Sequence, residues 1–270
     1  MDLKVTQYSA PLGSFLGPND PAPFEILNPG GSSQLLLTCD HASRAVPRSL
    51  GQLGLAPEHF DRHIAYDIGA EAITRILSDT LDAQSILAGF SRLVIDVNRP
   101  RGHPQSVPEI SDRIQIPANR KLRKVDLDHR VNELFDPYHQ AIADSMLNLL
   151  NRGPAPVLFS IHSFTPHFKN QKRPWDVGIL WKNDPRLPYP LMEKLAQRGF
   201  CVGNNKPYSA LDLAYTIDTH AGALGLTNCV IEIRQDLVSD QLGVERWAKI
   251  LTEDLSEILK DVTLYKVHEY

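Results

Sequence analysis

The chain has 270 residues, 42% of them hydrophobic, with 28 Lys plus Arg against 32 Asp plus Glu and a formal net charge of -4. That is enough chain for one large core, and so mild a charge speaks for ordinary solubility and against a nucleic-acid partner. No apolar run nears the roughly 20 residues needed to span a bilayer, and the opening MDLKVTQYSAPLGSFLGPND carries neither the basic region nor the apolar stretch of an export signal. The expectation is a cytoplasmic protein with no membrane partner. Three scattered cysteines, Cys39, Cys201 and Cys229, form no CxxC pair and fit free thiols in a reducing compartment.

Residues 1–33 are rich in Gly, Pro and Ser and read as an arm or loops packed on the surface, with a single α/β domain over 34–270. QLLLTC is a continuous apolar run and predicts a buried strand ending at Asp40-His41. A polar loop leads to Asp67, which stands where a helix over IGAEAITRILSDTL needs its N-cap. QSILAGF and RLVIDVN predict two strands joined through Gly89-Phe90-Ser91. Residues 100–124, rich in Pro, Arg and Asn, predict a long excursion. VDLDHRVNELFDPYHQAIADSMLNLLNRG predicts a long helix that Pro137 kinks or divides. PVLFSIHSF and VGILW predict strands, LPYPLMEKLAQRG a helix, NCVIEIR a further strand and GVERWAKILTEDLSEILKDV a closing amphipathic helix. This alternation favours a three-layer α/β sandwich around a mainly parallel or mixed sheet. Neither an internal repeat nor a heptad is present, and nothing points to an oligomeric state.

The informative feature is where polar residues fall. In open α/β sheets, sites lie beyond the carboxyl ends of strands. Here apolar runs end in Asp40-His41, in His162-Ser163 and in Glu232-Ile233-Arg234, and RLVID leads to Asn98-Arg99. Two histidines and a carboxylate suit zinc and leave a fourth position for water. Each histidine alone is as compatible with a hydrogen-bonded structural role. Glu232 is more telling, because a buried carboxylate needs a partner such as Arg234 or a chemical task.

The segments LLLTCDHASRAVP, HIAYDIGA, SRLVIDVNRP, SIHSFTP and IEIRQDL together resemble the N-formylglutamate amidohydrolase family over about residues 25–260. The resemblance implies hydrolysis of N-formyl-L-glutamate to formate and L-glutamate, a step of histidine degradation, on a fold like that of the zinc-dependent exopeptidases. It implies one zinc ion per chain, His41 and His162 as ligands, Glu232 as the catalytic carboxylate and the Asn98-Arg99 pair as a substrate grip. The match departs at the acidic ligand. Carboxypeptidase-like enzymes carry a Glu three residues after the first His, where this chain has Arg44, and Arg cannot ligate zinc. Zinc-dependent cell-wall amidases place the acidic ligand later, near the start of the following helix, and Asp67 occupies that place. The expected metal set is therefore His41, Asp67 and His162, with helix capping the competing role for Asp67 and His63 a weaker ligand candidate.

The substrate is expected to be a small carboxylate, since Arg grips carboxylates through paired hydrogen bonds. Arg99 leads the candidates, before Arg44, Arg113 and Arg234, and Asn98, Ser43, Ser163 and His220 complete the expected substrate contacts. Asp40 fits a role in orienting a histidine ring. Asp40 and the run HAS stand where the family's well-defined members carry Pro-His-Ser-Gly, which puts the exact acyl amino acid in doubt. Two other readings stay open: a zinc amidase of another N-acyl amino acid or of peptidoglycan, and a metal-free binding protein on the same fold.

Overall fold

A computed structural model describes residues 15–270 except Asn170 and Leu213. A seven-stranded sheet forms its centre. The strands are β1 (Phe24–Leu27), β2 (Leu35–Cys39), β3 (Gln84–Ala88), β4 (Val157–Phe164), β5 (Val177–Leu180), β6 (Val202–Asn204) and β7 (Asn228–Arg234). Their order across the sheet is β1-β3-β2-β4-β7-β5-β6. The middle four, β3, β2, β4 and β7, run parallel. β1 is antiparallel to β3, and β5 is antiparallel to β7. The mixed α/β architecture is the expected one.

Every residue of β2, β3 and β4 is buried. Strands covered on both faces need no polar alternation, which is why they read as continuous apolar runs. Helices α1 (Ala70–Thr80), α4 (Pro188–Gln197) and α6 (Gln241–Ile258) pack on one face, burying Ile73, Leu77, Leu191, Leu195, Trp247 and Leu251 against Phe159 and Ile231. On the other face lie α2 (Lys124–Arg130), α3 (Asp136–Arg152) and α5 (Tyr215–His220). There Tyr138, Ile142, Ile217 and Ala221 meet Leu36, Leu158 and Val230. This second face holds the site.

Two sequence expectations meet corrections and a third, the division of the long helix, holds. Part of the expected arm is a strand: β1 adds to the sheet edge beside β3; residues 1–14 lie outside the described residues. RLVIDVN is not a strand but a buried loop. Its apolar side chains enter the core, while its backbone is held piecemeal. Asn119 donates to the Leu93 carbonyl (2.8 Å), Arg130 to the Val94 carbonyl (2.8 Å), and the Asp96 amide bonds the Ser106 carbonyl (2.7 Å). The expected long helix is divided. α2 and α3 join through a widened π-helical turn at Val131–Phe135, just before Pro137, which has no amide hydrogen to offer. Cys39 and Cys229 are buried free thiols, and Cys201 is exposed and free. Among the described residues no helix is long and apolar enough to cross a membrane.

Candidate metal and catalytic site

His162 and Glu232 face each other in register on adjacent parallel strands, β4 and β7. Residues two apart share a sheet face, so both side chains rise on the side of α3 and α5. His41 follows the end of β2. Asp67 is tied to it through the backbone, its amide donating to the His41 carbonyl at 3.0 Å. Asp67 is not the cap of α1: Gly69 holds that place, with φ +80 and no side-chain cap. A Cβ on Gly69 would lie 2.4 Å from the Val238 carbonyl oxygen, so only glycine allows this turn. The turn frees the Asp67 carboxylate for the site.

Oδ2 of Asp67 lies 3.2 Å from Nδ1 of His41 and 2.8 Å from Nδ1 of His162. One ligand atom from each of the three residues lies within 4.8 Å of the others, and all three residues are buried. The outer nitrogens are also engaged. Nε2 of His41 meets Asp96 Oδ1 at 2.8 Å, and Nε2 of His162 meets Asp40 Oδ2 at 3.1 Å. A carboxylate on Nε2 fixes the N–H there and leaves the Nδ1 lone pair facing inward. With a cation in place of any proton between them, two lone pairs and a carboxylate oxygen would converge, which is the donor set of a metal site. Without a cation, charge must come from a proton. Burial alone would push the His162 imidazole down, but its bonds to Asp40 and Asp67 hold it well above its ordinary pKa. Asp67 is lowered although burial opposes this, because His41, His162 and Arg92 all favour its charge.

Further groups brace this centre. Arg92 donates to Asp67 Oδ1 (3.3 Å) and to Asp96 Oδ2 (3.0 Å). Asp96 also accepts from the Asn98 amide (3.0 Å) and is held well below the carboxylate range: burial opposes, Arg92 and His41 prevail. Asp40 accepts from the Tyr138 hydroxyl (2.6 Å) and the Thr216 hydroxyl (3.0 Å).

Glu232 differs from these aspartates. It is buried, and its Oε2 has no hydrogen-bond partner among the described residues. Burial, helped by the nearby Asp67 charge, raises its pKa to about 7 against the pull of His162, Arg92 and His41. A carboxyl poised there suits proton transfer near neutral pH. It lines a cavity of about 350 Å³ together with His41, Asp67 and His162. That is the size of a small-molecule site. Gly178, beside Glu232 on β5, lets the 205–209 loop cover this cavity, for a Cβ there would meet the Lys206 carbonyl oxygen at 2.1 Å.

The expected substrate residues divide. Asn98, Arg99 and Ser163 line the cavity. Nε of Arg99 is buried without a partner, and Ser163 donates to the Ile68 carbonyl at 2.8 Å. Ser43, His220 and Arg234 do not line it. Ser43 accepts from the Ala45 amide in a local turn. Arg234 is occupied by Asp176, Asp236 and the Trp175 carbonyl. His220 is buried against His139, 2.8 Å away. Arg44 pairs with Asp61 at the surface, Arg113 is exposed at a hairpin tip, and His63 lines the cavity 3.6 Å from Asp112. Sequence reasoning missed Arg92, Asp96, Tyr138 and His139. A histidine on the buried face of an otherwise amphipathic α3 was the one signal available.

The profile of the N-formylglutamate amidohydrolase family matches residues 33–239. The chain belongs to that family. Like the family, it is an amidohydrolase, an enzyme of amide bonds. A crystal structure of a gene product from Agrobacterium tumefaciens is 32% identical, with a TM-score of 0.89, the match covering 92% of this chain and 99% of that one. A crystal structure of N-formylglutamate amidohydrolase from Ralstonia eutropha is 20% identical, with a TM-score of 0.67 over 90% and 99% of the two chains, and shares the fold. A search of curated proteins returned no match.

Proposed function

We propose that this member of the N-formylglutamate amidohydrolase family is a zinc enzyme that hydrolyses the amide of an N-acyl amino acid, with N-formyl-L-glutamate, giving formate and L-glutamate, as the family's reference substrate. The observation that carries the metal is the convergence of ligand atoms from His41, Asp67 and His162 within 4.8 Å of one another, each histidine backed by an aspartate. Those three residues would hold one zinc ion per chain. Zinc, when bound, supplies a Lewis acid and lowers the pKa of water to about 7.

The chain's own residues do the rest. Glu232, the one buried carboxylate of the cavity with an oxygen left unpaired among the described residues, takes the proton of the attacking water and passes it to the leaving amine nitrogen. Arg99, with its unpartnered Nε, and the Asn98 side-chain amide hold the substrate carboxylate. Asp40 and Asp96 hold the imidazoles in one tautomer. Ser163 steadies the turn after Asp67 through the Ile68 carbonyl.

Elemental analysis of the purified protein should find about one zinc per chain. Formate release from N-formyl amino acids should depend on it. Glu232→Gln should keep the metal and lose turnover by roughly 10²- to 10⁴-fold, the range of a lost general base. Near-normal turnover in that variant removes Glu232 from the role. Tight substrate binding with neither metal nor turnover in the parent protein would favour a binding protein instead.

A further inference from the structure

One stretch of the cavity wall is apolar. The buried wall there is Val230, Leu180 and Ala214, exposed by 4%, 4% and 3%. The register explains this. Val230 lies two residues before Glu232 on the same sheet face, and its partner across the antiparallel pair is Leu180. Ala214 comes from the chain just before α5, which packs on that face. The charged lining residues Lys206 and Asp212 are exposed at the mouth. Arg92 is committed to Asp67 and Asp96.

The carboxylate grip adjoins this apolar wall. Asn98 accepts from the Thr216 amide at 3.1 Å, two residues beyond Ala214, and Arg99 is its neighbour. In an N-acyl amino acid the carboxylate and the side chain leave the same carbon atom. A substrate held with its carboxylate at Asn98–Arg99 and its amide carbonyl over Glu232 would bring its side chain against the neighbouring wall of Val230, Leu180 and Ala214. A second carboxylate placed there would be buried against Val230, Leu180 and Ala214, none of which can pair with it, which is unfavourable. An aliphatic chain would gain by leaving water.

We infer that this enzyme selects N-acyl amino acids with an aliphatic side chain, leucine-like in size, over those with a second carboxylate. The inference rests on reading the cavity as that of an N-acyl amino acid hydrolase and concerns only which amino acid it takes.

The test compares kcat/KM of the zinc-loaded full chain on N-formyl-leucine, N-formyl-alanine and N-formyl-glutamate. N-formyl-leucine should exceed each of the others by about ten-fold or more, the discrimination a methylene pocket gives. Calorimetry on the Glu232→Gln protein should show the same order in binding, independent of turnover. Val230→Ala should narrow the leucine-over-alanine ratio; Val230→Thr, closer in shape, replaces it if the alanine variant does not fold. A preference for N-formyl-glutamate, or a ratio untouched by both variants, overturns the inference and leaves the hydrolase reading standing. No hydrolysis of any N-formyl amino acid by the zinc-loaded protein overturns the reading and the inference together.

Discussion

Two histidine pairs are buried on the same face of the sheet, and they have opposite surroundings. The His41 and His162 rings stand edge to face, 4.9 Å between centroids, among Asp40, Asp67 and Asp96. The His139 and His220 rings are stacked at 5.1 Å, and among the described residues their nitrogens meet only each other and the Val97 carbonyl. In the first pair every imidazole nitrogen faces a carboxylate, so the pair attracts positive charge. In the second, His139 donates from Nε2 to the Val97 carbonyl (2.8 Å), which leaves its Nδ1 to accept from His220. That chain of bonds requires a neutral His139 and a proton on Nε2 of His220. Burial agrees: it lowers His139 and, together with the neighbouring His139, lowers His220 to about 4. The lesson is that buried histidines are not equivalent candidates for metal. The backing groups decide, and Asp40 marks the divide, bonding His162 on one side and Tyr138 and Thr216 on the other.

The strongest way to break this contrast is Asp67→Ala. It removes the one carboxylate shared by His41, His162 and Arg92. Zinc content should fall from about one per chain to near zero, and turnover with it. Leaving buried partners unpaired should also lower unfolding stability by about 3–5 kcal/mol in the metal-free protein. Full zinc retention would return Asp67 to a structural role.

The second pair should set an acid limit to stability. His220 has a folded pKa of about 4, below the ordinary value of about 6.5. Between those values the unfolded chain binds the extra proton, so stability falls as pH drops from 6.5 and the loss is complete below 4. Its size is on the order of 3 kcal/mol. His220→Gln keeps a donor for His139 but cannot charge. Its urea midpoint should therefore decline less than the parent's between pH 6.5 and 4. Parallel declines would show that the pair is not held neutral.

Asp96→Asn sharpens the first pair at smaller scale. The amide oxygen can still accept from His41, but the charge that raises ligand basicity is gone. Zinc affinity should drop by about 10- to 100-fold, the usual effect of losing a carboxylate behind a metal-bound histidine. A competition titration against a chelator reads this directly. Unchanged affinity would confine Asp96 to holding Arg92 and the 92–99 loop in place.

The same contrast shows what the sequence could reveal. His41, His162 and Glu232 were legible because each belongs to, or directly follows, a strand buried on both faces, where a polar residue interrupts an apolar run. Asp67 was half legible: its place before a helix fits capping and ligation equally, and only the turn at Gly69 separates them. The 91–99 segment misled. It is as apolar as a strand because it fills the core, yet side chains of Asn119 and Arg130 hold its backbone instead of a neighbouring strand. Asp96 and Arg92 belong to that segment, so their roles were hidden with it. Ser43, His220 and Arg234 were chosen for nearness in sequence to the ligands or to a strand end. Nearness did not survive the fold: Arg234 shares the face of Glu232 but stands at the strand's end, where Asp176 and Asp236 take it.

Arg44 gives the smallest expected effect and the cleanest control. It occupies the position where carboxypeptidase-like enzymes carry an acidic ligand, so the sequence left it near the chemistry. The fold turns it outward to Asp61, with side chains 56% and 66% exposed. Exposed ion pairs contribute about 0–1 kcal/mol, reduced further by salt. Arg44→Ala should therefore shift stability by less than about 1 kcal/mol and leave zinc content and turnover at the parent's level. A loss of turnover in this variant would mean that Arg44 swings from Asp61 into the cavity when substrate arrives. The carboxylate grip would then extend beyond Asn98 and Arg99, and the surface pair would be a resting position, not a structural contact.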